Sequence, residues 1–298
     1  MENNIYNLSY IICTRNRCQF LKIAVEKLIE IKLPDEEIVV VDGNSNDGTK
    51  EYLQSLYEQG LIQQYISEPD KNQAHGWNKA MLLAKGVLIK KIIDDDVFCY
   101  SAIRECKNYM LAHINVDACI SNSLTIRLGN TEIQTENTRF SFFKDWKAGN
   151  TKSFTFSDVY LILRRSSLAY LGLYNTKFTM LDWEYSLRIS HLKANIIYYT
   201  GFMAMGVDTP GNVTSVTPKN VLLQEGAIGA FLYDYAGDGA EISSWSRIKI
   251  AVGKFLDRHK HKENKALNTD ETINLTDFYK TAYSIIETKN LNTICHFY

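Results

Sequence analysis

The sequence lacks the features that identify several large classes of protein. Its 298 residues include six cysteines but no C-x-x-C pair and no metal-finger spacing, so reduced thiols fit better than a disulfide framework. There is no run of about eighteen uncharged apolar residues, as a membrane-spanning helix would need. The N-terminus also lacks the basic and apolar parts of a secretory signal. We therefore expect a cytoplasmic protein whose membrane contact, if it has any, is peripheral.

An excess of charge of one sign is also missing. Lys and Arg together number 33 and Asp and Glu 34, which gives a formal net charge of -1. Proteins that bind nucleic acid by neutralising phosphates carry an excess of basic residues, so we expect no nucleic-acid partner. The apolar content of 45% is ordinary for a globular protein, and the length allows one large domain or two smaller ones.

Apolar strands alternate with amphipathic helices through the first hundred residues. Such alternation predicts an α/β protein with a mostly parallel, Rossmann-like sheet and helices on both faces. The predicted strands are residues 10–13, 38–41, 64–66 and 87–93, and the predicted helices are 20–31, a helix from Thr49, and 74–84.

The second half is less regular. Helical periodicity over residues 182–191 predicts a helix with Trp183 and Leu187 facing inward. The remaining predictions are strands at 118–120, 124–126, 158–165 and 196–199, a polar connection at 129–137, and a short helix at 166–171 that ends at Gly172.

Polar residues follow each predicted strand of the first half. They lie at 14–16, 42–47, 68–71 and 94–96. Ligands of parallel α/β sheets bind beyond the carboxyl ends of the strands, so these four loops predict a binding site. Neither G-x-G-x-x-G nor G-x-x-x-x-G-K-[ST] is present, which argues against a dinucleotide or P-loop site.

The fourth of these loops contains three consecutive acids, Asp94, Asp95 and Asp96. In an extended backbone, Asp94 and Asp96 would share one side while Asp95 faces the other. Two neighbouring carboxylates repel each other unless a cation lies between them, and a divalent ion with oxygen ligands is the usual solution. The alternative is an exposed acidic turn.

Together these motifs resemble the family 2 glycosyltransferases, which have a GT-A fold and transfer a sugar from a nucleotide diphosphate to an acceptor. The resemblance covers roughly residues 8–215. It is carried by YIICTRN at 10–16, EIVVVDGNSNDGT at 37–49, SEPDK at 67–71, NK at 78–79 with AKG at 84–86, IDDD at 93–96, and LDWE at 181–184 with Arg188.

The resemblance implies roles for individual residues. Asp42 would accept a hydrogen bond from the base, Asp94 and Asp96 would hold Mn²⁺ or Mg²⁺, and Asp182 would be the catalytic base. The implied nucleotide-sugar site consists of Thr14, Arg15, Asn16, Asp42, Asn44, Lys71, Asn78, Asp94 and Asp95.

Several of these residues also have a purely structural interpretation. Asp42 and Asn44 suit turn caps, and we interpret Asp47 as a cap. Lys71 could be a solvated lysine, and Asp182 an acid that complements the helix dipole. Glu184 is the reserve candidate for the base, and Arg188 one turn later is its predicted ion-pair partner.

The sequence departs from the family pattern in three places. Leu181 replaces the acid that usually precedes the base, and residues 206–215 lack the usual histidine, for which Asp208 could substitute. The glutamine-arginine-tryptophan motif of processive synthases is absent, which favours transfer of one sugar per acceptor.

The resemblance therefore implies an inverting transferase for a bacterial surface polysaccharide or glycoconjugate. We expect a UDP-sugar donor, with GDP- or dTDP-sugars as alternatives, and a hydroxyl of a glycan or lipid-linked acceptor. The competing hypotheses are a nucleotidyltransferase on a similar sheet and a non-catalytic nucleotide-sugar binding protein.

We expect a catalytic domain at residues 1–218 and a helical C-terminal extension at 219–298. Within the domain, residues 1–100 would form the donor half and 101–218 the acceptor half. Residues 245–260 place Trp245, Ile248, Val252 and Phe255 on one face with basic residues around them. This pattern fits either an interfacial helix at the inner face of the cell membrane or a helix packed on its own domain.

Overall fold

A computed structural model describes residues 6–210, 216–237 and 273–298. Its strands form one sheet in the order β3-β2-β1-β4-β8-β6-β9-β5, and β7 pairs with β6. The strands are β1 Leu8–Thr14, β2 Glu36–Asp42, β3 Gln64–Ser67, β4 Leu88–Ile92, β5 Val97–Phe98, β6 Ala118–Arg127, β7 Asn130–Asn137, β8 Leu161–Arg164 and β9 Ile196–Asp208.

Helices cover both faces of this sheet. They are α1 Cys18–Ile31, α2 Thr49–Glu58, α3 Gln73–Leu83, α4 Tyr100–Ala112, α5 Phe140–Lys147, α6 Leu168–Leu171, α7 Leu181–His191, α8 Lys219–Leu232 and α9 Leu275–Leu291. Short 3-10 turns occupy Asp158–Tyr160 and Arg165–Ser167. In the described parts of the chain, no helix is long and apolar enough to span a bilayer.

The predicted α/β fold with a mostly parallel sheet is confirmed. Strand β1 pairs in parallel with β2 and β4, and β2 with β3. All seven residues of β2 are buried, because helices cover both faces of this part of the sheet. Alternate residues of β1 pack into two apolar clusters on opposite faces of the sheet. Tyr10 and Ile12 belong to one cluster and Ile11 to the other.

The prediction for the middle of the chain is wrong in two places. Residues 118–127 form the single strand β6, and the polar stretch predicted as a connection is β7, which pairs antiparallel with β6. Strand β7 carries few apolar residues because it is largely exposed. Gly129, with φ +82°, makes the turn between the two strands.

Other boundaries also differ from the predictions. Residues 158–160 form a 3-10 turn before β8, and β9 continues to Asp208 rather than ending near residue 199. Helices α4 and α5 and the short strand β5 were not predicted.

The C-terminal part of the described chain packs on the sheet. Helix α9 contacts β5 and β9 and buries Phe278, Tyr279, Ala282 and Ile286. The backbones of Tyr198 and Tyr298 exchange two hydrogen bonds of 3.0 Å. The division of the chain at residue 218 stays a prediction, and the helix predicted at 245–260 lies outside the described residues.

Two adjacent lysines on β4 are buried on opposite faces of the sheet. Lys91 lies 4.3 Å from the Trp77 ring on one face, and Lys90 lies 5.3 Å from the Phe98 ring on the other. Lys90 donates hydrogen bonds to the backbone carbonyls of Val159 and Leu161. Burial lowers the pKa of Lys90 to about 7, although the negative charge of Asp158 acts to raise it.

We expect the stability of the protein to depend on pH through Lys90. An unfolded lysine has a pKa of about 10.4, so above pH 7 the unfolded chain binds more protons at this residue and the folded state gains stability. Between pH 7 and 9 the wild type should gain about 2 kcal/mol relative to Lys90→Met. Urea unfolding of both proteins at the two pH values measures this difference, and parallel pH dependences would contradict it.

Candidate active site

A cleft of about 490 Å³ opens at the carboxyl ends of β1 and β4 and reaches the start of α7. It brings together predicted site residues that are far apart in the sequence. Those lining it are Thr14, Arg15, Lys71, Asp94, Asp95, Asp96 and Asp182.

The three consecutive acids form a turn rather than an extended strand. The Asp96 amide donates to the carbonyl of Ile93 across 3.2 Å, because β4 has already ended at Ile92. Asp94 and Asp95 therefore both contact the Arg17 guanidinium, whereas Asp96 accepts a 2.8 Å hydrogen bond from the Val207 amide. The predicted strand-like alternation of these side chains is wrong.

Further contacts fix the same three acids. Thr14 Oγ1 donates to Asp94 Oδ2 across 2.7 Å, and Thr209 Oγ1 donates to Asp95 Oδ2 across 2.6 Å. Thr209 thus lines the cleft beside the triplet, whereas the neighbouring Asp208, proposed from the sequence as a histidine substitute, does not.

Burial raises the pKa values of two of these acids. Burial raises the pKa of Asp94 to about 6, although the charge of Arg17 and the hydrogen bond from Thr14 lower it. Burial and the charge of Asp95 raise the pKa of Asp96 to about 8. Burial disfavours the ionised forms, so a cation near these carboxylates would stabilise them.

The acids that line the cleft outnumber its cationic side chains. Among the described residues, six carboxylates and four cationic groups line it, which leaves two negative charges in excess when all are ionised. The described part of the chain contains no group of three or more metal-ligating side chains. A Mg²⁺-like ion fits this arrangement, because it commonly binds one or two carboxylates together with substrate phosphates and waters.

Asp182 lies at the beginning of α7 and lines the cleft. Its Oδ1 accepts a 2.9 Å hydrogen bond from the Trp183 amide. Burial, and to a smaller extent the charge of Asp158, raise the pKa of Asp182. The charge of Lys91 and a hydrogen bond with Ser157 lower it by less. A carboxylate with a raised pKa is a stronger base, so the position suits proton abstraction.

A buried ion pair lies in the same cleft and was not predicted from the sequence. Lys91 Nζ contacts both oxygens of Asp158 at 2.9 and 2.8 Å, and Tyr174 donates to the same carboxylate across 2.5 Å. Two charged residues inside apolar segments, Lys91 and Asp158, were the available signal, but one sequence does not show that they meet.

Four predicted nucleotide-site residues do not line the cleft. Asp42 is fully buried and accepts hydrogen bonds from the Ser45 amide and from Ser67 Oγ. Asn78 holds the backbone of Tyr174 through bonds of 2.9 and 2.8 Å. The other two are Asn16 and Asn44, both with positive φ, in the loops after β1 and β2.

Hydrogen bonds join the loop after β1 to the loop after β2. Asn16 accepts from the Asn46 amide across 2.9 Å, and its own amide donates to Ser45 Oγ across 2.7 Å. Asp47 accepts from the Thr49 hydroxyl at the start of α2, although Gly48 and not Asp47 holds the N-cap position, and from the Cys18 amide at the start of α1. The structure therefore fixes the backbone on both sides of Arg17.

Helix α8 supports the helix that carries Asp182. Glu225 is buried and accepts hydrogen bonds of 2.8–2.9 Å from the amides of Thr179 and Met180, just before α7. A Cβ on Gly229 would collide with the Trp183 ring, so only glycine allows this close approach. The predicted Glu184–Arg188 ion pair is present, with distances of 2.9 and 3.1 Å.

A second pocket, of about 250 Å³, shares Ser157 and Asp182 with the main cleft. Its lining is rich in hydroxyl groups and includes one indole ring. The other residues that line it are Ser121, Ser123, Asn137, Arg139, Thr155, Phe156, Tyr160 and Trp183. Asp182 thus faces both cavities.

A family model described as glycosyl transferase family 2 matches residues 9–172, more than half of the sequence. The chain belongs to this family, which confirms the family predicted from the motifs and the expectation of a glycosyltransferase. A search of curated proteins found no match.

Solved structures with this fold include S. aureus TarS 1-349 in complex with UDP-GlcNAc, with a TM-score of 0.60 and 17% identity over 85% of this chain and 72% of that one. A second S. aureus TarS structure matches with a TM-score of 0.56 and 16% identity over 85% and 43% of the two chains. The mannosyltransferase PcManGT from Pyrobaculum calidifontis, in complex with GDP-Man and Mn²⁺, matches with a TM-score of 0.52 and 16% identity over 96% and 85%. These similarities confirm the GT-A fold.

Replacing Glu225 should destabilise the beginning of α7. Glu225→Ala leaves the amides of Thr179 and Met180 without their acceptor, which should lower the free energy of unfolding by about 1–3 kcal/mol. Gln224→Ala, an exposed change on the same helix, is the matched control. Urea unfolding compares the two variants, and equal stabilities would contradict the role of Glu225.

Proposed function

We propose that the protein is an inverting glycosyltransferase that moves one sugar from a nucleotide-diphosphate sugar to an acceptor hydroxyl. The observation that carries the proposal is the presence of the acidic triplet and Asp182 in one cleft, on elements nearly ninety residues apart in the sequence. Separate groups for the leaving diphosphate and for the attacking hydroxyl are what such a reaction requires.

The main cleft would bind the donor. Arg15 and Lys71 line it and can donate hydrogen bonds to phosphate oxygens. Thr14 would contact the nucleotide beside them while its hydroxyl donates to Asp94, and Asp95 would lie near the ribose or sugar. Asp42 at the end of β2, Asn16 and Asn44 in the loops after β1 and β2, and Asn78 on α3 would act from behind this wall. The UDP-GlcNAc complex of S. aureus TarS and the GDP-Man complex of PcManGT support a nucleotide sugar, and we favour UDP.

Asp94 and Asp96 would hold a divalent ion, Mn²⁺ or Mg²⁺. When bound, such an ion supplies positive charge that stabilises the leaving diphosphate. The excess of carboxylates in the cleft and the Mn²⁺ in the PcManGT structure support this assignment.

Asp182 would then act as general base. Its carboxylate takes the proton from the acceptor hydroxyl while the acceptor oxygen forms a bond to the anomeric carbon. The bond between that carbon and the phosphate oxygen breaks, and its electron pair leaves with the nucleoside diphosphate. Attack from the side opposite the leaving group inverts the configuration.

The acceptor would enter through the second pocket. Its hydroxyl groups and the Trp183 ring suit a sugar, and Asp182 at its inner end would meet one acceptor hydroxyl. We propose a glycan or lipid-linked acceptor used in surface polysaccharide assembly, at the cytoplasmic side of the membrane.

Donor binding can be tested with a thermal-shift panel of UDP-, GDP- and dTDP-sugars, each with and without Mn²⁺. A ligand that binds only the folded protein raises its apparent stability, so the correct donor with metal should raise Tm. We expect the largest shift with a UDP-sugar and Mn²⁺. No shift with any combination would argue against the proposed function.

Asp182→Asn should separate binding from chemistry. The amide cannot take the acceptor proton, so transfer should fall by about 10²–10⁴-fold while donor and metal binding persist. Asp94→Ala and Asp96→Ala should instead weaken both binding and transfer. Unchanged transfer in Asp182→Asn would exclude it as the base.

The acidic limb of the pH profile should respond to Asp158. Activity requires ionised Asp182, so it should fall as pH drops through the raised pKa of this group. Asp158→Asn removes a charge that raises this pKa and should move the limb to lower pH. Transfer rates at saturating metal and donor across pH 4–8 measure the shift, and an unmoved limb would contradict the assignment.

A further inference from the structure

Resting on the proposed function, we propose that Arg17 competes with the divalent cation for Asp94, and that once displaced from Asp94 and Asp95 it binds the donor diphosphate. Arg17 would thereby couple metal binding to donor binding. Neither the sequence motifs nor the family match assigns a role to this residue.

Arg17 bridges two different carboxylates. Its Nε lies 2.9 Å from Asp94 Oδ1, and its Nη2 contacts Asp95 Oδ2. Its side chain is 32% exposed and lines the cleft, whereas those of Asp94 and Asp95 are nearly buried. The guanidinium thus already supplies the positive charge that these two acids need.

A cation that coordinates Asp94 must take the place of an existing partner. Asp94 Oδ1 contacts Arg17 and Oδ2 accepts from Thr14, so both oxygens are engaged. Asp96 differs, since only its Oδ1 has a hydrogen bond, to the Val207 amide, among the described residues. A divalent ion can therefore bind Asp96 directly but meets Arg17 at Asp94.

The backbone on both sides of Arg17 is held in place, so a displacement of Arg17 would be confined to its side chain. Cys18, the next residue, is held by Asp47, and Asn16 by Ser45. The guanidinium lies 4.9 Å from the Phe20 ring, and Phe20 packs edge-on against Tyr279, which donates to the carbonyl of Asp95 across 2.7 Å. Because Arg17 already lines the cleft, a change of its side-chain rotamer would carry the guanidinium from the triplet to an anion bound there.

The chemistry of the guanidinium favours a diphosphate as its second partner. Arginine donates paired hydrogen bonds that match phosphate oxygens, and it remains charged at all relevant pH values. Release from Asp94 and Asp95 would leave that charge unpaired unless an anion arrives. Metal and diphosphate should therefore each strengthen the binding of the other.

The test measures Mn²⁺ binding to the full chain from the electron paramagnetic resonance of free Mn²⁺, first alone and then with saturating UDP. In Arg17→Met the competing charge is gone, so Mn²⁺ alone should bind at least about fivefold more tightly than in wild type. UDP binding in the presence of Mn²⁺ should weaken about tenfold, since a charge-assisted contact is lost. The two effects have opposite signs, which simple loss of structure would not produce.

Two further variants serve as controls. Arg15→Met removes another cationic group of the same cleft that forms no ion pair with the triplet in the described residues, so it should weaken UDP binding without tightening Mn²⁺ binding. Arg17→Lys keeps a charge and should keep the competition, with weaker UDP binding. Melting temperatures confirm that each variant is folded.

Unchanged or weaker Mn²⁺ binding in folded Arg17→Met would overturn the inference and show that Arg17 supports the triplet instead. This outcome differs from failure of the proposed function, in which the wild type itself would bind neither Mn²⁺ nor any of the nucleotides.

Discussion

The cleft depends on the burial of carboxylates beside too few cations to neutralise them. Asp94, Asp96 and Asp182 lie where water screens them poorly, and burial raises the pKa of each. Two cationic side chains of the same cavity pair with these buried acids or their neighbours: Arg17 pairs with Asp94, and Lys91 pairs with Asp158. Buried like charges are costly for the fold, and a cationic ligand would relieve that cost. The proposed activity would thus use electrostatic strain that the free protein already contains.

The sequence predicted the first four strands because each is a short apolar run followed by a polar loop. It placed Asp94 at the carboxyl edge of the sheet, because loops that follow parallel strands converge there, whereas Asp182 was assigned only through the family resemblance. The predicted geometry of the triplet was wrong because side chains alternate between faces only inside a strand, and β4 ends at Ile92. The polar strand β7 was missed since an exposed edge strand carries no apolar signal.

The contacts made by the C-terminal helices left no signal in the sequence. Glu225 caps the approach to α7 from a helix more than forty residues away, and Tyr279 reaches the Asp95 carbonyl from α9. Periodicity describes which face of an element is buried, but it does not say against which partner. Both contacts come from the stretch predicted as a separate extension, so in the structure this stretch supports both walls of the cleft.

The absence of a side chain at Gly229 has a consequence for how acceptor preference could change over evolution. Because α8 rests directly on the Trp183 ring, its position sets the height of one wall of the second pocket. Small shifts of this helix would reshape that pocket while leaving β1 and β4 untouched. If the second pocket binds the acceptor as proposed, relatives could acquire new acceptors through changes in a C-terminal helix while the proposed donor half stays the same.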